Sequence, residues 1–154
     1  VFDVAVTYIM RHHEGVDQVL LGEKLTGLGV GKIVGPGGKA KPGEAPADAA
    51  VREIREEVGL HVAPEDLSAI AVISYPFLDR PALSQRSFVF TTRVFQGTLV
   101  SSAELHATWW PVAAIPYERM WSDAALWLPQ ALSGAMVEET FHIGHDDQVV
   151  RVGS

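Results

Sequence analysis

No cysteine occurs among the 154 residues. Disulfide scaffolds, thiol nucleophiles and Cys-ligated zinc are therefore excluded. No run approaches the roughly 20 apolar residues of a membrane helix. The opening VFDVAVTYIM has neither the basic flank nor the small-residue cleavage site of a secretory signal. Position 1 is Val, and the sequence leaves open whether that end is native. A soluble cytoplasmic protein without a membrane partner is the expectation. Basic residues are scarce: 12 Lys+Arg stand against 19 Asp+Glu, a formal net charge of -7. Such a surface is a poor partner for a nucleic-acid polymer, whose phosphates need cationic contacts. A small anion can still bind where a metal cation bridges it to the protein. Two nucleophile and phosphate motifs are also missing. There is no Gly-x-Ser-x-Gly elbow, and Gly38-Lys39 is followed by Ala40, so no Walker loop is formed.

What is present is an ordinary globular balance, 47% hydrophobic and 20% charged. The length predicts one domain spanning 1–154, as monomer or homodimer. Strands are expected over Phe2–Met10, Gln18–Gly22, Leu67–Tyr75, Ser87–Phe95 and Trp109–Val112, the first two joined as a hairpin through a polar turn at Arg11–Asp17. Gly22–Gly38 holds seven of the 14 glycines and reads as a long functional loop. Glu44–Leu60 predicts a helix, with Pro46 near its start, an apolar stripe of Ala47, Val51, Ile54 and Val58, and Gly59 as its stop. Ser122 onward predicts a second helix, capped by Ser122 and limited by Pro129. Phe141–Val152 has a turn-like centre and a β-branched end. Strands mixed with two helices imply helices packed on a sheet, an α+β architecture.

The chemistry concentrates on the first helix. Glu53, Glu56 and Glu57 stand at i, i+3 and i+4, so their carboxylates share a face. Like charges at those spacings cost about 0.2–0.5 kcal/mol per pair, offset in part by Arg52 four residues before Glu56. A hard divalent cation such as Mg²⁺ would gain from the cluster, completing its shell with water and phosphate oxygens. A solvated acidic face is the plain alternative. Against it stands the Gly37-Gly38-Lys39 approach, where glycine backbone and an ammonium can come close to phosphate or metal.

The stretch from Gly38 through Glu44 and Arg52-Glu53-Ile54-Arg55-Glu56-Glu57-Val58-Gly59-Leu60 resembles the Nudix box, G-x5-E-x7-R-E-U-x-E-E-x-G-U, with U apolar. The box covers residues 38–60. The resemblance implies an α/β/α sandwich around a mixed β-sheet with a loop–helix–loop motif. It implies hydrolysis of a nucleoside diphosphate linked to another group. Gly38, Glu53, Glu56 and Glu57 would hold Mg²⁺, with Mn²⁺ as a substitute. Arg52 would orient the carboxylates, and Glu44 would brace the loop against the helix. The general base stays open between Glu56 and Glu104, and an exposed loop acid is the plain reading of Glu104.

Gln18 to Pro129 is further similar to the MutT group, specifically to its 8-oxo-dGTP diphosphatases of mammalian type. The likeness runs through Gly27–Lys39, Ala103-Glu104-Leu105, Trp109-Trp110 and Ile115–Asp123. It implies that Glu104 joins the metal site, that Lys24, Gly37, Gly38 and Lys39 face phosphates, that Trp121 stacks on a purine, and that Asp123 reads its edge. Trp121 as a core aromatic and Asp123 as a helix N-terminal acid remain the plain readings. Two departures stand out: Val34 replaces an Asn of the base pocket, and Ala124 replaces a second Asp. Ile33 and Pro36 replace aromatics nearby. The expectation is a pyrophosphohydrolase of a purine triphosphate, sanitising the nucleotide pool, with altered or relaxed base choice. The alternatives are a Nudix hydrolase of another diphosphate, such as a sugar nucleotide, and a silent nucleotide-binding module. His12-His13 and His142-x2-His145 with Asp146-Asp147 read as exposed polar turns rather than metal sites.

Overall fold

The computed structural model describes residues 1–144 and 149–151. Strand β1 (Phe2–His13) turns into β2 (Val16–Lys24) through Glu14 and Gly15, both at positive φ (50° and 80°). Two residues of that kind make the turn whose twist suits a hairpin. β3 (Ile33–Val34) and β4 (Gly37–Lys39) follow, then helix α1 (Pro46–Val58). β5 (Ser68–Tyr75), β6 (Gln85–Thr92) and β7 (Leu105–Pro111) precede helix α2 (Ala124–Leu132). β8 (Val137–Ile143) and β9 (Val149–Arg151) come last.

The strands form one sheet in the order β3-β2-β1-β6-β5-β8-β9, with β4 added on β1 and β7 on β2. β1–β6 and β5–β8 are parallel and the other pairs antiparallel, so the sheet is mixed. β1 has two antiparallel partners along its length. β2 takes Met10–His13 and β4 takes Val4–Val6.

Alternation along β1 and β2 feeds two cores. Ile9 and Leu20 pack with Ile54 and Val58 of α1, while Ala5 meets Ala49 and Ala50. Tyr8, Met10, Val19 and Leu21 pack with Trp127, Leu128 and Ala131 of α2. One helix therefore covers each face, the three-layer sandwich expected. Strands buried on both faces read as continuous apolar runs, which is why VLLG in β2 shows no alternation.

Several boundaries differ from the sequence reading. Gly22–Gly38 is not one loop, because backbone pairing makes β3 and β4 inside it. β1, β2 and β7 run longer than expected, and β6 ends at Thr92. α1 begins at Pro46 rather than Glu44, whose side chain instead accepts the Lys41 N–H. Gly59 does end α1, at φ 76°, with its N–H on the Arg55 carbonyl. Ser122 does not cap α2. Asp123 holds the cap position without a side-chain cap bond, and Pro129 lies within the helix, which continues to Leu132. His12 belongs to β1, where Nδ1 lies 3.1 Å from Asp17 Oδ1. His145, Asp146 and Asp147 lie outside the described residues. Among the described residues, no helix is long and apolar enough to cross a membrane.

Two leucines on α2 separate burial from helix propensity. Leu128 is fully buried and Leu126 is 46% exposed. Leu128→Ala should cost about 3 kcal/mol and Leu126→Ala under about 0.5. Denaturant midpoints measure both, and equal losses would place the core elsewhere.

Candidate active site

Two glycines and one arginine build the acidic end of the site. β4 pairs with β1 and runs against α1, with Gly38 facing the helix and Gly37 facing β1, neither with room for a side chain. A Cβ on Gly38 would stand 2.6 Å from the Glu53 carboxyl carbon. Gly37 donates its N–H to Glu57 Oε1 at 2.8 Å. Arg52 then ties the loop to the helix. Its Nε and Nη2 form a two-pronged pair with Glu44 at 3.0 and 2.9 Å. Its Nη1 donates to Glu53 Oε1 at 2.8 Å, and Nη2 also reaches the Lys39 carbonyl at 3.2 Å. The planar guanidinium suits this many acceptors at once.

Glu53, Glu57 and Glu104 converge, each offering a carboxylate oxygen within 4.8 Å of the others. Glu53 and Glu57 are buried, and Glu104 is exposed. Glu104 is held because its carbonyl accepts the Leu25 N–H at 2.9 Å, extending the β2–β7 pairing. Glu56 is not in this group. Its side chain is 52% exposed and touches Arg52 Nη1 at 3.4 Å. A helix turns 100° per residue, so residues i+3 and i+4 straddle the core boundary instead of sharing one direction.

Burial pushes the Glu57 carboxyl up to about 7, helped by the charges of Glu53 and Glu104 and opposed by the Gly37 N–H and Lys24. Burial also raises Glu53, opposed by Arg52. Arg52 and the Lys41 N–H hold Glu44 down at about 2. Three hard oxygen donors, two of them desolvated and repelling one another, fit a divalent cation.

Beside the cluster opens a cavity of about 320 Å³. Lys24, Val34, Gly37, Gly38, Lys39, Trp121 and Asp123 all line it, as does Glu57. The Lys39 ammonium lies 4.4 Å over the Phe2 ring, and Lys32 Nζ stands 5.0 Å over the Trp121 ring. Trp121 is half-buried, not a core residue. Asp123 is 1% exposed and receives bonds from Tyr75 and Trp127 rather than capping α2. The sequence reading missed Tyr8 and Tyr75, which also line the cavity. Period-2 alternation on their strands was the available signal, but sheet register decides which face meets the cavity.

The chain matches the NUDIX domain model over residues 2–131. It belongs to the Nudix family. It is 36% identical over 130 residues to the oxidized purine nucleoside triphosphate hydrolase of Danio rerio, covering 84% of this chain and 81% of that protein. The mouse protein of that name is 36% identical over 115 residues, covering 75% and 72%. The crystal structure of a mutator MutT protein from Bacillus halodurans superposes with a TM-score of 0.81 at 24% identity, covering 97% of this chain and 95% of that one. That likeness speaks for the fold alone. β8 and β9 lie beyond the matched range but continue the same sheet.

The Glu57 value fixes a pH dependence. A carboxyl raised from 4.5 to about 7 binds its proton more tightly in the folded chain. Its contribution to stability is full below about pH 4.5 and is lost as pH rises through about 7. A divalent cation competes with that proton. Mg²⁺ should therefore raise Tm more at about pH 8 than at about pH 6, and Glu57→Gln should remove most of the difference. Equal shifts at both pH values would show that Glu57 does not ligate the ion.

Proposed function

We propose that this Nudix protein is a Mg²⁺-dependent pyrophosphohydrolase that converts a purine nucleoside triphosphate, 8-oxo-dGTP or a related one, to its monophosphate and pyrophosphate. One observation carries the reading: Glu57 belongs both to the carboxylate cluster and to the wall of the cavity. A base in the cavity would thus lead its phosphates to the acids. The names of the curated relatives support the same substrate class. A substrate drawn from the free nucleotide pool suits a cytoplasmic site of action.

Glu53, Glu57 and Glu104 would hold the ion, with the Gly38 carbonyl and Glu56 completing the set that the family resemblance implies. Bound there, Mg²⁺ supplies charge neutralisation on non-bridging oxygens and a more acidic water. Arg52 keeps Glu53 aimed while its grip on Glu44 fixes the loop. Lys24 and Lys39 add positive charge along the phosphate path. Glu104, exposed and within the cluster, and Glu56, exposed beside it, are the two candidates to take the proton of the attacking water. Trp121 offers a flat indole ring for the purine, and Lys32 Nζ lies over the same ring. Asp123 reads the base edge.

Val34 and Ala124 favour a second reading, in which the same machinery serves another diphosphate such as a sugar nucleotide. Both line the cavity, and neither side chain can hydrogen-bond a base. A silent module is disfavoured, since a binding domain gains nothing from burying mutually repelling acids.

A Mg²⁺ turnover panel of 8-oxo-dGTP, dGTP, dATP, a pyrimidine triphosphate and a sugar nucleotide separates these readings, with pyrophosphate and orthophosphate detected apart. Pyrophosphate released fastest from a purine triphosphate is the expected result. Fast turnover of the sugar nucleotide alone would replace it with the second reading. Glu57→Gln should lower kcat by about 100-fold or more without unfolding the chain. Val34→Asn should raise the 8-oxo-dGTP to dGTP ratio by about tenfold, since a hydrogen-bonding pocket discriminates more than an apolar one. An unchanged ratio sinks the placement of the base against Val34.

A further inference from the structure

Strands build the floor of the cavity, and β6 departs from the apolar pattern that a buried strand face calls for. Gln85, Ser87 and Val89 alternate toward the cavity, while Phe88 and Phe90 turn to the α1 face. Ser87 pairs with Val4 of β1 on one side and with Ile73 of β5 on the other. A position between two such neighbours suits Val or Ile. Ser87 is 6% exposed, and its hydroxyl has no hydrogen-bond partner among the described residues. Unlike Thr7 Oγ1, it is not sealed off, and the surface it keeps opens on the cavity. A hydroxyl without a partner in apolar surroundings lowers stability. Residues that break a local rule in this way are expected where function sets the choice.

Gln85 stands two residues along the same face, between Phe2 of β1 and Tyr75 of β5. Its Nε2 reaches the Leu83 carbonyl at 3.4 Å, and its Oε1 has no partner among the described residues. The neighbouring Tyr75 hydroxyl is already committed, since it donates to Asp123. Two rises along a strand separate Ser87 from Gln85 by about 6.6 Å, within the span of one bicyclic base. The floor therefore holds unspent hydrogen-bonding capacity: a hydroxyl that donates and accepts, and an amide oxygen that accepts. The walls at Val34 and Ala124 offer none.

We infer that Gln85 and Ser87 are specificity-determining residues: they make the β6 floor of the cavity a hydrogen-bonding surface that selects nucleotides whose base carries amino, N–H or oxo groups over nucleotides whose base offers an aromatic face alone. The inference rests on the proposed reading of the cavity as a nucleotide site. Stacking on Trp121 holds any flat base alike. The floor distinguishes among them, and guanine and 8-oxoguanine both bring the donors and acceptors that it can bond.

Affinities of dGMP and of the indole deoxyribonucleoside monophosphate, measured by tryptophan fluorescence with Mg²⁺ present, test this. Once its nitrogen carries the sugar, indole keeps the two-ring shape of a purine and has no hydrogen-bonding group. The wild-type protein should bind dGMP at least about tenfold more tightly. Ser87→Ala and Gln85→Leu should each cut that ratio about three- to tenfold by weakening dGMP, with the indole nucleotide unaffected. Ser87→Ala should also leave Tm equal or raised, because it removes a hydroxyl that the fold does not bond. A merely structural serine would instead lower Tm and weaken both ligands alike, and that result overturns the inference. So does an unchanged ratio in either variant. If that happens while purine triphosphates still release pyrophosphate, the inference falls alone. If no triphosphate is turned over but the ratios drop as stated, the reaction reading fails and the selection by β6 stands. A wild-type protein that binds neither nucleotide overturns both.

Discussion

The site depends on a strand with no side chains facing a helix. Gly38 lets β4 lie so close to α1 that a Cβ there would occupy the space of the Glu53 carboxylate, and Gly37 lets the same strand lie against Ala5 and Val6 of β1. That closeness brings the Gly37 N–H within 2.8 Å of Glu57. It also brings the Lys39 carbonyl within reach of Arg52. A side chain at position 38 would push on α1 and separate the acids, whereas one at position 37 would strike the β1 backbone at Ala5 and Val6. The glycines are therefore required by contact, and the helix face gets its chemistry from what it is pressed against.

Pressing acids into a protein has an electrostatic cost. Glu53 and Glu57 are desolvated and close to Glu104, and their carboxyls respond by holding protons more tightly. Arg52 is the one cation that the helix itself brings to this group, and most of its donors go to Glu44 and Glu53. It relieves Glu53 and leaves Glu57 under-compensated, with Lys24 acting only through space. The arrangement is thus strained toward either a proton or a cation. Which one occupies it is set by pH and by metal concentration, so binding and protonation are two sides of one equilibrium.

Much of this was legible in the sequence because it is local. The helix, its Pro46 start and its Gly59 stop follow from spacing within one turn or two, and the Arg52–Glu44 brace joins residues only eight apart. The mixed sheet followed from the family resemblance. What was not legible depends on register between distant segments. β3 and β4 are two and three residues long, too short for any period to show, and exist because β2 and β1 supply their hydrogen bonds. Glu56 was grouped with its neighbours because helical spacing cannot say where the core boundary falls between i+3 and i+4. Asp123 read equally well as a cap, since its partners Tyr75 and Trp127 become visible only once β5 and α2 are docked.

The two halves of the site meet where β1 changes partners. α1 and α2 cover opposite faces of the sheet, so acids on one helix and a cavity under the other would ordinarily be separated by a layer of strands. β1 removes the obstacle by changing partners. β2 leaves it after Met10, β4 joins it at Val6, and between them the Thr7 N–H turns to the carbonyl of Pro36. Lys24, Val34, Gly35 and Gly37, which line the cavity, come from the segments that diverge there. A continuous sheet has no such opening, because its ladder bonds leave no backbone group free to part. The exchange of partners along one long strand therefore lets a carboxylate on one layer border a cavity in the other, and Glu57 occupies that junction.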